Sequence, residues 1–284
     1  MPNKLYNILV PVTLTNKNKW AMAKAVELAN NFSCSIHLVY VVNKRFLSFL
    51  PIQRNRITPY ESRRDLLRAQ KKLEELKYRY KDQLCGNASI EISVLEGNPR
   101  KELVNYIGKY EMDLVVVGLA RFNFLQRIIS SIAISRLARK INIPVLAVRA
   151  SGLVSHFKKI VLPLHEDLPI RRIKLATMLA RNFRSTVYFV SLREQADKQP
   201  SLLDSALQVV QSLSTIPVQC FLLEGKNLAK STLEFSKKIN ADLILVNPVK
   251  EFRLPGLWNK ITNKLISYGS SIPVVTVAAG QPDE

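Results

Sequence analysis

The chain repeats itself, and this duplication constrains its fold more than any other feature of the sequence. Four segments of the first half return in the same order in the second half: 7–12 as 159–164, 95–97 as 223–225, 112–117 as 241–246 and 143–148 as 272–277. A repeat of this length indicates two copies of one structural unit. The first match has a longer offset than the other three, so the second copy is shorter, and we assign the loss to the region between its second and third strands. We predict two domains, 1–150 and 151–284.

Short apolar runs alternate with amphipathic helical segments within the first copy. The predicted strands are 8–12, 35–42, 90–95, 114–117 and 145–148, and the predicted helices are 18–32, 61–82, 100–110 and 129–141. Continuous β-branched runs are typical of parallel strands buried on both faces. Alternation with helices favours right-handed crossovers and a mostly parallel sheet. We therefore predict an α/β protein made of two tandem five-stranded sandwiches, with ligands at the carboxyl ends of the strands, after Val12, Val42 and Val117.

The composition excludes several common activities. Only nine of the 284 residues are glycine, and they lie too far apart for a dinucleotide fingerprint, a P-loop or a nucleophile elbow. Three widely spaced cysteines and three histidines without metal-ligand spacing predict free thiols and no metal site. The apolar stretches are too short to span a bilayer, and the start of the chain lacks a signal-peptide pattern. We expect a cytoplasmic protein.

The order and spacing of the repeated segments resemble the universal stress protein family. The resemblance rests on Ile8–Val12, Ala23–Phe32, Ile36–Val42, 95–99, Asp113–Gly118 and Ile143–Val148. It implies Rossmann-like domains of the adenine nucleotide alpha hydrolase type, and a stress-response binding or regulatory module that is not an enzyme. In single-domain relatives the last strand mediates dimerisation. The resemblance thus implies an internal pseudo-dimer in which 145–148 and 274–277 pair antiparallel, with a further homodimer and an unknown protein partner left open.

Nucleotide-binding members of that family have an aspartate at the end of the first strand and a G-x-x-G-x9-G-[ST] motif after the fourth. The aspartate position is Thr13 in the first half and His165 in the second. The four motif positions are Gly118, Arg121, Ser131 and Ile132 in the first half, and Asn247, Lys250, Lys260 and Ile261 in the second. The close backbone amides that glycine permits are lost. The interpretation is a degenerate ATP-binding motif without a cofactor.

An alternative reading keeps a ligand in the first cleft. Arginine and serine side chains can replace backbone amides as donors to an anion, so the cleft would bind ATP, another adenine nucleotide or a different anion. The candidate contacts are Pro11, Thr13, Val41, Gly118, Arg121, Arg127, Ser130 and Ser131.

A third reading is based on charge alone. The chain has 42 Lys+Arg against 22 Asp+Glu, a formal net charge of +20. Residues 54–82 are rich in both charge and tyrosine, and an apolar and basic segment at 44–49 precedes them. Such a region favours an adaptor for nucleic acid or an anionic membrane surface. It is equally typical of the solvated face of an amphipathic helix, here with an apolar stripe of Leu66, Ala69, Leu73, Leu76 and Tyr80.

Five single residues keep two interpretations each. His165 follows a strand and is either a general base or a polar residue lining the crevice. Glu96 and Glu224 recur before a glycine, and they form either a functional pair or caps of the next helix. Trp20 and Trp258 serve either apolar packing or base stacking.

Overall fold

The computed structural model describes residues 4–12, 18–42, 59–119, 140–149, 156–165, 167–194, 201–247 and 270–278. It divides into two compact units, one of residues 5–118 and the other of residues 119–284 with 1–4. The division at 150 concerns the two sequence repeats and stays a prediction.

The unit of residues 5–118 is a parallel sheet with crossover helices. Its elements are β1 (Asn7–Pro11), α1 (Asn18–Phe32), β2 (Ser35–Val42), α2 (Pro59–Lys81), β3 (Ser89–Glu96), α3 (Pro99–Lys109) and β4 (Leu114–Leu119). The strand order is β3-β2-β1-β4, and every described pair of neighbours runs parallel. The predicted bounds of the first helix and the second strand are confirmed to the residue.

The predicted apolar stripe of α2 is also confirmed. Ala69, Leu73, Leu76 and Tyr80 are buried, and α2 packs on β3 and β2. The charged positions Arg63, Arg64, Arg68 and Lys71 lie on the exposed side of the same helix. This arrangement is that of an amphipathic helix with a solvated basic face.

The second unit contains the last strand of the first repeat and the whole sheet of the second. Its described elements are β5 (Val145–Arg149), β6 (Lys159–Pro163), α4 (Ile170–Phe183), β7 (Thr186–Leu192), α5 (Ser201–Leu213), β8 (Val218–Leu223), α6 (Leu228–Lys238), β9 (Leu243–Val246) and β10 (Val274–Thr276). The strand order is β5-β10-β9-β6-β7-β8.

The antiparallel pairing predicted for the last strands of the two repeats is confirmed. Val274 lies opposite Ala147, Val275 opposite Leu146, and Thr276 opposite Val145. All the other described neighbours in this unit are parallel. The last strand of each repeat is therefore paired along one edge with the last strand of the other repeat.

The shortening of the second copy falls where it was predicted. The helix between the second and third strands is 23 residues long in the first repeat, as α2, and 13 residues long in the second, as α5. While α2 packs on the sheet, α5 packs chiefly against α4. The outer strand of the second repeat is consequently less covered than its counterpart.

Several predicted features fall beyond the described residues. These are the segment 44–49, Trp258, and the helix 129–141 apart from its last two residues, which are helical. Cys34, Cys85 and Cys220 are free thiols, as predicted. Within the described ranges, no helix has the length and apolar character needed to cross a membrane.

Candidate functional site

Each repeat has one point where the strand order reverses direction. In the first repeat β1 lies between β2 and β4, and in the second repeat β6 lies between β7 and β9. Each central strand runs parallel to both of its neighbours. The carboxyl ends of strands at such a point form the crevice in which open α/β sheets bind ligands. Pro11 and Pro163 are the last residues of the two central strands, so they mark the two crevices.

A buried arginine lies at the second crevice. Arg172, in the first turn of α4, is 5% exposed. Its Nη1 donates a hydrogen bond to the carbonyl oxygen of Pro163 at 2.8 Å and makes a longer contact of 3.5 Å with that of Leu245 in β9. The guanidinium group therefore bridges the carboxyl ends of the two strands that flank the reversal.

In the described part of the chain, the polar partners of the Arg172 guanidinium group are backbone carbonyl oxygens alone. Its Nε is buried without a hydrogen-bond partner. Desolvation by burial lowers the pKa of Arg172 well below the usual arginine value, to about 9, so the side chain stays protonated at neutral pH. A buried cation without an acidic partner is rare because desolvating a charge costs several kcal/mol.

The neighbouring Arg171 ties the same helix to the seam between the repeats. It donates hydrogen bonds to Oδ1 and to the carbonyl oxygen of Asn142, which precedes β5, and to the carbonyl oxygen of Ala278, which follows β10. Burial lowers the pKa of Arg171 as well. Both arginines stand in the first turn of a helix that has no acidic residue there and whose N-cap, Pro169, makes no side-chain hydrogen bond. Cations are unfavourable at this end of a helix dipole, so tertiary contacts hold them there.

The structure describes three of the eight predicted contacts of the first cleft. Pro11, Val41 and Gly118 are half-buried near the carboxyl ends of β1, β2 and β4. The other five predicted contacts, Thr13, Arg121, Arg127, Ser130 and Ser131, lie outside the described residues.

In the second repeat the structure describes two of the positions aligned with the nucleotide motif. His165 is exposed two residues after β6, and Asn247, at the position of Gly118, is half-buried directly after β9. Lys250, Lys260 and Ile261 lie beyond the described ranges. Sequence reasoning missed Arg172, since a basic residue at a helix start ordinarily indicates a solvated position.

Two aspartates at equivalent places in the repeats have a structural role at the amino ends of the sheets. Oδ2 of Asp113 accepts hydrogen bonds from the backbone N–H groups of Tyr6 and Asn7, at 2.7 and 2.9 Å. Oδ2 of Asp242 accepts from those of Lys158 and Lys159, at 3.0 and 2.9 Å. Each carboxylate thus fixes the start of the central strand of its repeat, far from the crevice.

The interpretation of Glu96 and Glu224 as helix caps is wrong. The caps are Asn98, which accepts from the N–H groups of Arg100 and Lys101, and Asn227, which accepts from that of Lys230. Glu224 instead accepts a hydrogen bond from Nε of Arg193 at 2.7 Å. The asparagine side chain is short enough to reach the first-turn amides from the capping position itself. The sequence contained this signal at one of the two caps, because Asn98 is followed by Pro99 and an asparagine before a proline is typical of a helix start, whereas Asn227 is followed by Leu228.

A polar cluster is buried between β2, β3 and α3. Nδ1 of His37 lies 3.0 Å from Oη of Tyr106, which lies 3.1 Å from Oγ of Ser93. The ring of Tyr110 stands against both aromatic rings, and Glu91 is the cross-strand neighbour of His37. Burial lowers the pKa of His37, and the charge of Glu91 opposes this effect.

Trp20 is half-buried in α1, and Nζ of Lys19 lies 4.1 Å from the centroid of its ring. No group of three His, Cys, Asp or Glu residues within the described ranges could hold a metal ion.

These features define a two-repeat α/β protein with parallel sheets, crevices at the strand ends and an antiparallel seam between the repeats. The model of the universal stress protein family matches residues 5–149, more than half of the chain. The chain therefore belongs to the universal stress protein family. A universal stress protein of Methanocaldococcus jannaschii is 26% identical over 149 residues, which are 52% of this chain and 84% of that protein.

Two solved structures share the fold over nearly the whole chain. A universal stress protein of Archaeoglobus fulgidus has a TM-score of 0.76 at 15% identity and covers 98% of both chains. The cytoplasmic domain of a prokaryotic cation chloride cotransporter has a TM-score of 0.56 at 15% identity, with 98% of this chain and 97% of that one covered. At such identities the likeness concerns the fold alone.

Proposed function

We propose that this universal stress protein is a cytoplasmic stress-response binding module and not an enzyme. It consists of two repeats, 1–150 and 151–284, and the crevices of both repeats have lost the ability to bind nucleotide. The observation that carries the proposal for the second crevice is the position of Arg172. Its guanidinium group contacts the carbonyl oxygens at the carboxyl ends of β6 and β9. A ligand of an open α/β sheet would otherwise bind at these strand ends.

The sequence around the crevices supports the same proposal. In the second repeat, three glycine positions of the nucleotide motif are Asn247, Lys250 and Lys260, and in the first, Arg121 and Ser131 replace two of three. A β-carbon at each of these positions narrows the space in which backbone amides would surround a phosphate. Side chains in place of glycine narrow the space for a phosphate, and Arg172 already occupies carbonyl groups at the strand ends; both features work against a bound nucleotide.

The nucleotide content of the native protein tests this proposal. Protein purified without added nucleotide is denatured, and the released small molecules are separated and measured by absorbance. We expect less than about 0.05 adenine nucleotide per chain, since Arg172 already contacts the carbonyl oxygens of Pro163 and Leu245 at the strand ends. About one nucleotide per chain after extensive dialysis would overturn the proposal and favour binding through Arg121, Arg127, Ser130 and Ser131.

A further inference from the structure

Within the described ranges, the outer strand of the second repeat, β8, has a neighbouring strand on one side only. It is the last strand in the order of its sheet, and β7 is its described neighbour. The N–H of Val187 in β7 donates to the carbonyl oxygen of Pro217. Because backbone groups alternate in direction along a strand, the N–H and C=O groups of Val218, Cys220 and Leu222 point to the free edge.

This edge lacks the features that ordinarily protect an outer strand. Its sequence is Val-Gln-Cys-Phe-Leu-Leu, without charge, proline or glycine. The equivalent outer strand of the first repeat, β3, contains Glu91 in its interior and ends in Glu96. Charged residues on an edge strand oppose pairing with another chain, and β8 has none.

The four central side chains of β8 are exposed, and the two end residues are half-buried. Phe221 is 37% exposed and Leu222, which faces the opposite side of the strand, is 41% exposed. Gln219 and Cys220 are also exposed. The cause is the short α5, which packs chiefly against α4, whereas in the first repeat α2 packs on β3. On the other side the ring of Phe221 lies 4.9 Å from that of Phe235 in α6, so the strand is held in place.

We propose that β8 pairs antiparallel with β8 of a second copy of this chain. The strands β5 and β10, which end the two repeats, already pair with each other, so they do not offer an edge for a symmetric dimer. Each copy carries a net charge of +20, and an uncharged strand lets two such copies meet without like charges side by side. Residues that face the shared edge lie opposite each other in an antiparallel pair, so the two-fold axis of a symmetric pair centred on the strand passes beside Cys220. Cys220 then lies opposite Cys220 of the second copy, and Leu222 lies opposite Val218 of the second copy.

The oligomeric state in solution tests this pairing. A six-residue strand pair buries little surface, so we expect a weak dimer, visible by sedimentation equilibrium at about 100 µM protein. The dimer strengthens when NaCl rises from about 0.1 to 1 M, because salt screens the repulsion between the two chains. A chain that stays monomeric at about 300 µM protein in 1 M NaCl would contradict the proposal.

Two variants with the same added charge locate the interface. Leu222→Lys puts an ammonium group on the shared edge opposite Val218 of the second copy and adds two positive charges to the pair, so it should weaken self-association about tenfold or more. Gln208→Lys adds the same charge to an exposed position of α5, and we expect no effect. A dimer that resists Leu222→Lys, or that Gln208→Lys weakens equally, overturns the assignment to β8.

The exposed thiol of Cys220 provides a second measurement. In a Cys85→Ser variant, Cys220 is the one exposed cysteine, because Cys34 is buried. Mild oxidation should link two copies through a disulfide, since Cys220 lies opposite Cys220 of the second copy at a Cα separation that a disulfide can span. The Cys220→Ser variant, which keeps Cys85, should give no linked dimer. Linking through Cys85 but not through Cys220 would contradict the pairing.

Discussion

Arg172 is the residue on which the functional account depends. A guanidinium group buried at the reversal of strand order, with backbone carbonyls for partners, serves the fold by satisfying the ends of β6 and β9. Such a buried charge stabilises a protein little compared with an apolar side chain of the same size. Removing the whole side chain is a different matter, because it leaves both a cavity and an unsatisfied carbonyl group.

Substitutions of Arg172 separate these two effects. We predict that Arg172→Ala lowers the free energy of unfolding by about 2–4 kcal/mol, whereas Arg172→Met changes it by about 1 kcal/mol or less. Urea denaturation measures both values. Arg181→Ala, at an exposed position of the same helix, is the control and should change stability by about 0.5 kcal/mol at most. Equal losses for the Ala and Met variants would refute the interpretation.

The buried His37 makes stability depend on pH. Because burial lowers the pKa of His37 below 6.5 in the folded protein, the unfolded chain binds the proton more readily. The stability associated with neutral His37 is therefore complete above pH 6.5 and is lost as the pH falls toward the lowered pKa of the folded state.

The His37→Gln variant isolates this contribution, since glutamine can bond to Tyr106 but does not titrate. We predict that wild type loses more unfolding free energy than the variant between about pH 7.5 and 5.5. Denaturation at a series of pH values gives the free energy of unfolding of each protein against pH. Subtracting the two curves removes the contribution of the carboxylates, which both proteins share. Parallel curves would show that His37 does not carry the effect.

At the scale of elements, the antiparallel pair of β5 and β10 joins the two repeats. Val145 is fully buried and Val274 is 3% exposed. Each strand is short, and its apolar edge would invite aggregation if the other strand were displaced.

A charge inside this pair should be costly. We predict that Val274→Lys aggregates or loses at least about 3 kcal/mol of unfolding free energy, because the ammonium group would be buried without a partner. Ser271→Lys, three residues away at an exposed position, should stay soluble with near-wild-type stability. Sedimentation measures aggregation, and chemical denaturation measures the free energy of unfolding. A soluble Val274→Lys protein with wild-type stability would contradict the pairing of β5 with β10.

Helices and strands could be predicted where neighbouring residues of the sequence carry the pattern that defines them. The bounds of α1 and β2 follow from the helical spacing of Trp20, Ala23 and Leu28 and from the continuous apolar run of β2. The antiparallel seam followed from the duplication and the family resemblance together. The exposure of β8 did not follow, since its apolar run predicts a buried strand. The length of α5 and its packing on α4, which are tertiary features, leave β8 uncovered.

At the scale of the whole molecule, the repeats share one architecture but differ at their crevices. Arg172 aligns with Trp20 under the offset of the first repeated segment, so a cation in one copy stands where an aromatic residue stands in the other. The sequence indicated the loss of the glycine motif in both copies. It did not indicate what lies at the second crevice, because the side chain that reaches the strand ends comes from a helix start whose sequence resembles an ordinary solvated surface.

Calorimetric titration with ATP, ADP, AMP and cyclic AMP tests the central claim most directly. Each nucleotide is added to about 1 mM, with wild type beside the Arg172→Met variant, because a dissociation constant near this value corresponds to only about 4 kcal/mol of binding. The account predicts no heat beyond dilution for wild type with any of the four. Saturable heat with a stoichiometry near one or two per chain would contradict it and would show that side chains have replaced the glycine loop as a nucleotide site.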